Sequence, residues 1–236
     1  MHTTFIILHS AKFFKGFTVF LPKVDRNTFF VYNVQYFRHH GEVKNMRQKT
    51  TTPEKIIEAA IRVGAAEGIG NLSTRKVAAE CGISDGYLFN YFTNKSDLLT
   101  QSFFYIHSKL NGAMSEPKIF SMPLREGVRS LWIACFDFLV SNPDYARYLR
   151  SFRYSSFYTK KMHEVQKQKI PYLNEYIEKS GCSALKNNIM WIFMFESAVN
   201  FAVEVSENHI GGSEKDREFY FSFITDGVGR FLVKDE

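Results

Sequence analysis

The chain has 236 residues, 45% hydrophobic and 23% charged, enough apolar side chain for a packed core, which excludes a chain disordered throughout. Three cysteines without paired spacing (Cys81, Cys135 and Cys182) exclude a disulfide framework and a Cys-x-x-Cys zinc site, and fit a reducing compartment. The pI near 9.1 is weak evidence for nucleic acid, because residues 1–45 carry six basic against two acidic side chains, 46–100 seven against six, and the remainder seventeen against sixteen.

No Gly-rich phosphate loop, nucleophile–base pair or paired metal ligand set stands in the sequence, so neither an enzyme nor a cofactor nor a metal is expected. No stretch approaches the roughly 20 apolar residues that span a bilayer. Phe5-Ile6-Ile7-Leu8 is too short for a signal-peptide core and is followed by Lys12 and Lys15. The expected address is the cytoplasm, with no membrane partner.

Residues 1–45 form an atypical extension with eight Phe and no sustained helical or strand period. Phe29–Phe37 alternates like a strand, but a single unpaired strand is not stable. Three readings fit: translation from a mis-assigned start with Met46 as the true one, an aromatic arm docked on the body, or a segment that meets a membrane surface or partner. The ordinary basic run Met46-Arg47-Gln48-Lys49-Thr50 favours the first.

A first helix is expected after Thr52, which caps it, with Pro53 in the first position and Glu54 beside the positive helix start. Ile56, Ile57, Ala60, Ile61 and Val63 make its inner face, Glu58 and Arg62 an outer i,i+4 pair, and Gly68 its stop. Ser73 caps a second helix with Val77, Ala78 and Cys81 inward and Arg75 and Lys76 outward. Cys81 reads as a small hydrophobe beside the turn. Gly82 supplies a sharp turn, Ile83 plugs the angle, and Ser84 caps a third helix over Asp85–Phe92.

Leu88 and Phe92 face the core, which leaves Asp85, Gly86, Tyr87, Asn90 and Tyr91 toward the outer surface. That is the arrangement of a helix-turn-helix, about residues 73–92, whose last helix enters a major groove by its N-terminal end. Asn pairs with adenine and an acidic group accepts from cytosine N4. Ser73, Thr74 and Arg75 stand at the start of the preceding helix, where Thr74 and Arg75 can reach the backbone or a guanine edge. Lys95 opens a fourth helix, where its ammonium and the helix N-terminus suit a phosphate.

With Ser73-Thr74, Val77-Ala78, Gly82-Ile83-Ser84, Gly86, Leu88, Tyr91-Phe92, Lys95 and Leu98 together, the segment Thr50–Leu110 resembles the DNA-binding domain of the TetR/AcrR family. The resemblance implies an all-α protein: a three-helix DNA-binding domain over 50–110, and a larger helical ligand-binding and dimerisation domain over 111–236. It also implies a homodimer on a pseudo-palindromic double-stranded DNA operator, acting as a repressor released by a small-molecule effector. The alternative is a DNA-anchored helical scaffold that localises a protein partner. Four positions depart from the family pattern. Phe89 stands where a Tyr is usual, and Tyr87 where a small hydroxyl residue is common. Gly64 replaces an aromatic on the first helix, a gap that Phe103 or Phe104 is expected to fill. Asp85 turns a negative charge toward a polyanion.

The rest reads as helical. Leu124, Val128, Leu131, Cys135 and Leu139 keep helical spacing up to Asn142-Pro143, and Pro143 begins a further helix through Leu149. Thr159–Lys179 is a polar helix interrupted by Pro171 and ended at Gly181. Ala184–Glu207 and Asp216–Val233 are apolar nearly all round, separated by Gly211-Gly212. Such helices are buried on more than one side, and the resemblance implies that this pair meets its mates in a four-helix dimer interface. A ligand pocket is expected among Trp132, Phe136, Phe152, Tyr154, Trp191, Phe195 and Glu196, with plain core packing as the alternative for each. Glu196 needs a partner among apolar neighbours: a cationic ligand, or Arg129, Arg150 or Arg153. His163 and His209 read as solvated histidines.

Overall fold

The computed structural model describes residues 51–114, 117–160, 162–163 and 184–228, all within the compact unit Asn45–Glu236. The expectations for residues 1–45, for most of Thr159–Lys179, and for Gly181 and Cys182 lie outside the described residues. Eight α-helices are described: α1 Pro53–Glu67, α2 Thr74–Cys81, α3 Asp85–Leu88, α4 Lys95–Met114, α5 Leu124–Ser141, α6 Pro143–Arg153, α7 Ala184–Ser206 and α8 Glu214–Val228. A 3-10 turn, Pro117–Ser121, joins α4 to α5, and no strand occurs among the described residues. Among the described residues the fold is all-α, as the resemblance implies.

Helix starts follow the capping chemistry. Thr52 Oγ1 accepts from Lys55 N at 3.4 Å ahead of Pro53. Asn94 and Asp97 cap α4 in reverse pairing: Asp97 N donates to Asn94 Oδ1, and Thr93 N donates to Asp97 Oδ2, both at 2.9 Å. Ser213 and Asp216 do the same for α8, with Ser213 N donating to Asp216 Oδ2 at 3.0 Å. That pairing starts α8 at Glu214, two residues before the expected Asp216.

The helix α6 is the hub. It packs against α1 on one side and α7 on the other. Three of its polar side chains reach α1, α4 or the loop that follows α1. Tyr145 OH donates to Glu58 Oε1 at 2.6 Å, Tyr148 OH donates to the Leu99 carbonyl at 2.9 Å, and Ser151 Oγ accepts from Ile69 N at 2.9 Å. Tyr105 of α4 also donates to Glu58 Oε1, at 2.7 Å. One carboxylate on α1 therefore ties α4 to α6. This corrects the expected Glu58–Arg62 pair: Glu58 turns inward to two phenols, while Arg62 Nε bonds Glu80 of α2 at 3.1 Å. Burial, then the hydrogen bond to Glu58, raises both phenols well above their ordinary pKa.

The gap over Gly64 is filled from α6 and not from α4. A Cβ at Gly64 would sit 2.8 Å from Tyr148 Cδ2, so the fully buried Tyr148 ring occupies the space of the missing side chain. Phe103 instead stacks on Phe152 of α6, with centroids 4.8 Å apart.

Candidate functional site

The edge formed by α2 and α3 is built by caps and one left-handed turn. Ser73 Oγ accepts from Lys76 N at 3.3 Å to start α2, and Ser84 Oγ accepts from Tyr87 N at 3.3 Å to start α3. Between them Gly82 has φ +66° and ψ 34°, a left-handed conformation that closes α2 at low cost only for Gly. Ile83 N then donates to the Ala78 carbonyl at 2.9 Å, which fixes the angle between the two helices. Leu88 and Phe92 are buried beneath the turn.

The third helix is shorter than expected. It ends at Leu88, and the chain to Phe92 tightens into turns, with Asn90 N donating to the Tyr87 carbonyl at 3.1 Å and Tyr91 N to the Leu88 carbonyl at 3.0 Å. The tightening keeps Phe92 in the core while Phe89 and Asn90 swing out. Asp85, Gly86 and Asn90 are exposed, as is Arg75 on α2, and nothing lies within 4 Å of the position a Gly86 Cβ would take. Ser73 and Thr74 are half-buried.

Two expected contacts turn partly inward. The Tyr91 hydroxyl donates to the Thr51 carbonyl at 3.3 Å and lies 3.1 Å from the Tyr87 hydroxyl. Burial and then Tyr87 raise the Tyr91 phenol to about 12, so it remains a donor. The two tyrosines thus brace the arm before α1 and are half-buried. Lys95 is half-buried too, its ammonium 5.6 Å from the centroid of the Phe157 ring. Conversely, Phe89 is 46% exposed, a surface residue that pattern reading treats only as a lost hydroxyl. Its signal was its place at i+4 from Asp85 on the outward face.

Cys81 is half-buried and its Sγ lies 3.8 Å from the Lys55 carbonyl. Burial raises its thiol pKa, and burial raises that of Cys135 to about 12, so both thiols are poor nucleophiles.

The expected ligand pocket divides. Trp132 and Phe136 stack on each other with centroids 5.3 Å apart and are buried, and Trp132 Nε1 donates to Ser197 Oγ at 3.2 Å. Phe152 is fully buried between Phe103 and Tyr148. These three are core. Tyr154 is 74% exposed because α6 has ended at Arg153 and the chain turns outward, so it lines no pocket. The Trp191 side chain lies outside the described residues. Phe195 and Glu196 do border a small cavity, joined there by Arg153, a named candidate partner of Glu196, by Phe103, expected elsewhere, by His163, read as solvated, and by Tyr158, which the sequence did not single out. Of the three candidate arginines, Arg153 meets Glu196, at 2.7 Å. Arg129 pairs with Glu218, and Arg150 with Glu204 and Glu207. Glu204, Glu207 and His209 offer ligand atoms within 4.8 Å of one another, but Arg150 already bridges both carboxylates and Glu204 Oε2 holds His209 Nδ1 at 2.8 Å.

On α7 and α8, apolar side chains remain uncovered in the single chain: Phe193 at 45%, Phe219 at 64% and Phe223 at 66% exposure.

Comparison with known proteins bears on the same segment. Residues 56–101 match the model of "Bacterial regulatory proteins, tetR family". A protein of Haemophilus influenzae described as an uncharacterized HTH-type transcriptional regulator is 27% identical over 159 residues, covering 66% of this chain and 85% of its own length. The fatty acid metabolism regulator protein of Bacillus subtilis is 38% identical over 58 residues, 25% of this chain and 30% of that one. Among solved structures, a TetR family transcription regulator from Marinobacter aquaeolei superposes with a TM-score of 0.64 at 24% identity, covering 74% of this chain and 93% of the other. The TetR-like regulator LfrR of Mycobacterium smegmatis, solved in complex with proflavine, superposes with a TM-score of 0.54 at 14% identity, covering 78% and 98%.

Proposed function

Because the chain is a transcriptional regulator of the TetR family, we propose that it acts as a repressor: a homodimer that reads a pseudo-palindromic duplex operator and releases it when a small molecule enters the helical C-terminal half. The observation that carries the DNA reading is the capped, glycine-locked turn that leaves Asp85, Gly86, Phe89 and Asn90 exposed on one edge. Asn90 suits an adenine edge and Asp85 a cytosine amino group, while Arg75 suits a phosphate or a guanine. Phe89 suits a thymine methyl.

The uncovered Phe193, Phe219 and Phe223 support dimerisation, since a second copy would remove this apolar surface from water. Two symmetric reading edges then match two half-sites about one helical turn apart, or a multiple of it. The likeness to a proflavine-bound regulator and to a regulator named for fatty acid metabolism supports a small, largely apolar effector. Entry of that molecule would act through α6, whose Tyr145 and Tyr148 hold Glu58 and Leu99 of the DNA-binding helices.

Sedimentation and footprinting of the same sample test this reading. A dimer protecting two half-sites is expected, with Phe219→Glu and Phe223→Glu together giving monomers and loss of protection. A monomer that protects one isolated site would contradict it.

A further inference from the structure

Between α4, α6 and α7, Phe103, Leu149, Phe195 and Val199 line a small, partly open cavity with about 10 Å³ of free space, roughly that of one water. Its polar wall is unusual for so apolar a place. Arg153 Nε donates to Glu196 Oε1 at 2.7 Å, and both side chains are largely shielded from solvent. The same guanidinium lies 4.3 Å from the centroid of the Tyr158 ring, and the Tyr158 hydroxyl lies 3.0 Å from His163 Nδ1.

An ion pair in such surroundings is a poor source of stability, because desolvation offsets the attraction. It is a good source of selectivity, because its two charges are not equivalent. A guanidinium keeps its proton throughout the physiological range, whereas a carboxylate can take one up. A cation arriving at Glu196 would leave the Arg153 charge in place and the site net positive. An anion arriving at Arg153 leaves the site neutral if Glu196 is protonated from solvent. The guanidinium fork also matches the two oxygens of a carboxylate by a bidentate pair.

We propose that this cavity takes a monoanionic amphiphile, a carboxylate on an apolar chain, whose head displaces Glu196 from Arg153 while Glu196 takes up one proton. Its role as the effector site rests on the release reading above. Burial already holds the Glu196 carboxyl above its ordinary pKa, with Arg153 opposing. Arg153 on α6 and Tyr158 in the following loop face Glu196, and His163 stands behind Tyr158. From α4, His107 stacks on Phe195 with centroids 5.4 Å apart and on Phe103 at 4.4 Å. An apolar chain exceeds the roughly one-water space now free there, so it enters by parting Phe195 and Ile192 of α7 from Phe103. That displacement bears on α4, the helix that continues from the DNA-reading edge.

Calorimetry on the full chain tests this, using straight-chain alkanoates of increasing length, each beside its methyl ester and its alkyltrimethylammonium counterpart. At the best length the alkanoate is expected to bind at least tenfold tighter than either counterpart. Its affinity should fall about tenfold per pH unit where Glu196 is ionised in the free protein. Arg153→Met should lose at least tenfold, with part regained in Arg153→Lys. Glu196→Gln should keep binding and flatten the pH dependence, whereas His163→Gln should leave that dependence intact. Thermal melts identify which variants are folded, and the ester and cation comparisons need no variant. An ester or cation that binds as well as every alkanoate, unchanged binding in Arg153→Met, or a pH dependence lost with His163→Gln would overturn the proposal. Operator release is measured separately. Alkanoate binding without release refutes the effector reading and leaves the anion site standing. Release by another compound with no alkanoate binding refutes this proposal alone.

Discussion

The helix-turn-helix and the layer formed by α6 and α7 are held together by different kinds of contact. In the first, the bonds that shape the turn are local: Ser73 to Lys76, Ser84 to Tyr87, and Ile83 to Ala78 across Gly82. In the second, partners come from distant parts of the chain: Tyr145 to Glu58, Tyr148 to Leu99, Arg153 to Glu196, and Phe103 to Phe152. Local bonds are individually small and set geometry, whereas the distant contacts bury large side chains and set stability. A reading edge built in this way can be moved as a rigid piece by whatever shifts the layer beneath it.

Substitutions can break this contrast, and the largest effect belongs to the layer. Phe152→Ala removes a fully buried ring and is expected to cost about 3–5 kcal/mol in chemical denaturation. Glu58→Ala would strand two phenols that now donate to it, at a cost of about 1–3 kcal/mol, with part of the loss recovered in Glu58→Gln. Gly64→Ala forces a methyl to 2.8 Å from the Tyr148 ring. Because that ring is buried and tethered through Leu99, about 1–3 kcal/mol of overpacking should outweigh the roughly 1 kcal/mol helix-propensity gain from Ala. Ser84→Ala should cost only about 1 kcal/mol in stability, yet weaken operator binding at temperatures where the protein remains folded. Arg62→Ala, which removes an exposed pair with Glu80, should leave stability within about 0.5 kcal/mol of the parent. A Ser84→Ala loss as large as that of Phe152→Ala would end the distinction between the two regions.

The same contrast explains what could be read in advance. Caps, turn glycine and helical spacing are written within a few residues of one another, so the positions of α1, α2, α5 and α6 were legible from the sequence. The end of α3 was not, because the chain after Leu88 tightens into turns that keep Phe92 in the core, and burial of one side chain is not written in the local spacing. Gly64 was legible as a gap, but its filler stands 84 positions later, at Tyr148, beyond any local pattern. The pocket residues fared similarly: Glu196 announced a missing partner, while Tyr154 was indistinguishable from Phe152 until the end of α6 turned it outward.

Selection of bound sequences from random duplexes, using the full chain, decides whether the exposed edge of α3 reads DNA. Two inverted half-sites are expected, with affinity that falls steeply with salt. Asn90→Ala should relax the preference at one base pair per half-site while losing about 1–3 kcal/mol. A folded sample that enriches no sequence, or one whose preference is untouched by Asn90→Ala, Asp85→Ala and Phe89→Ala alike, would contradict that role.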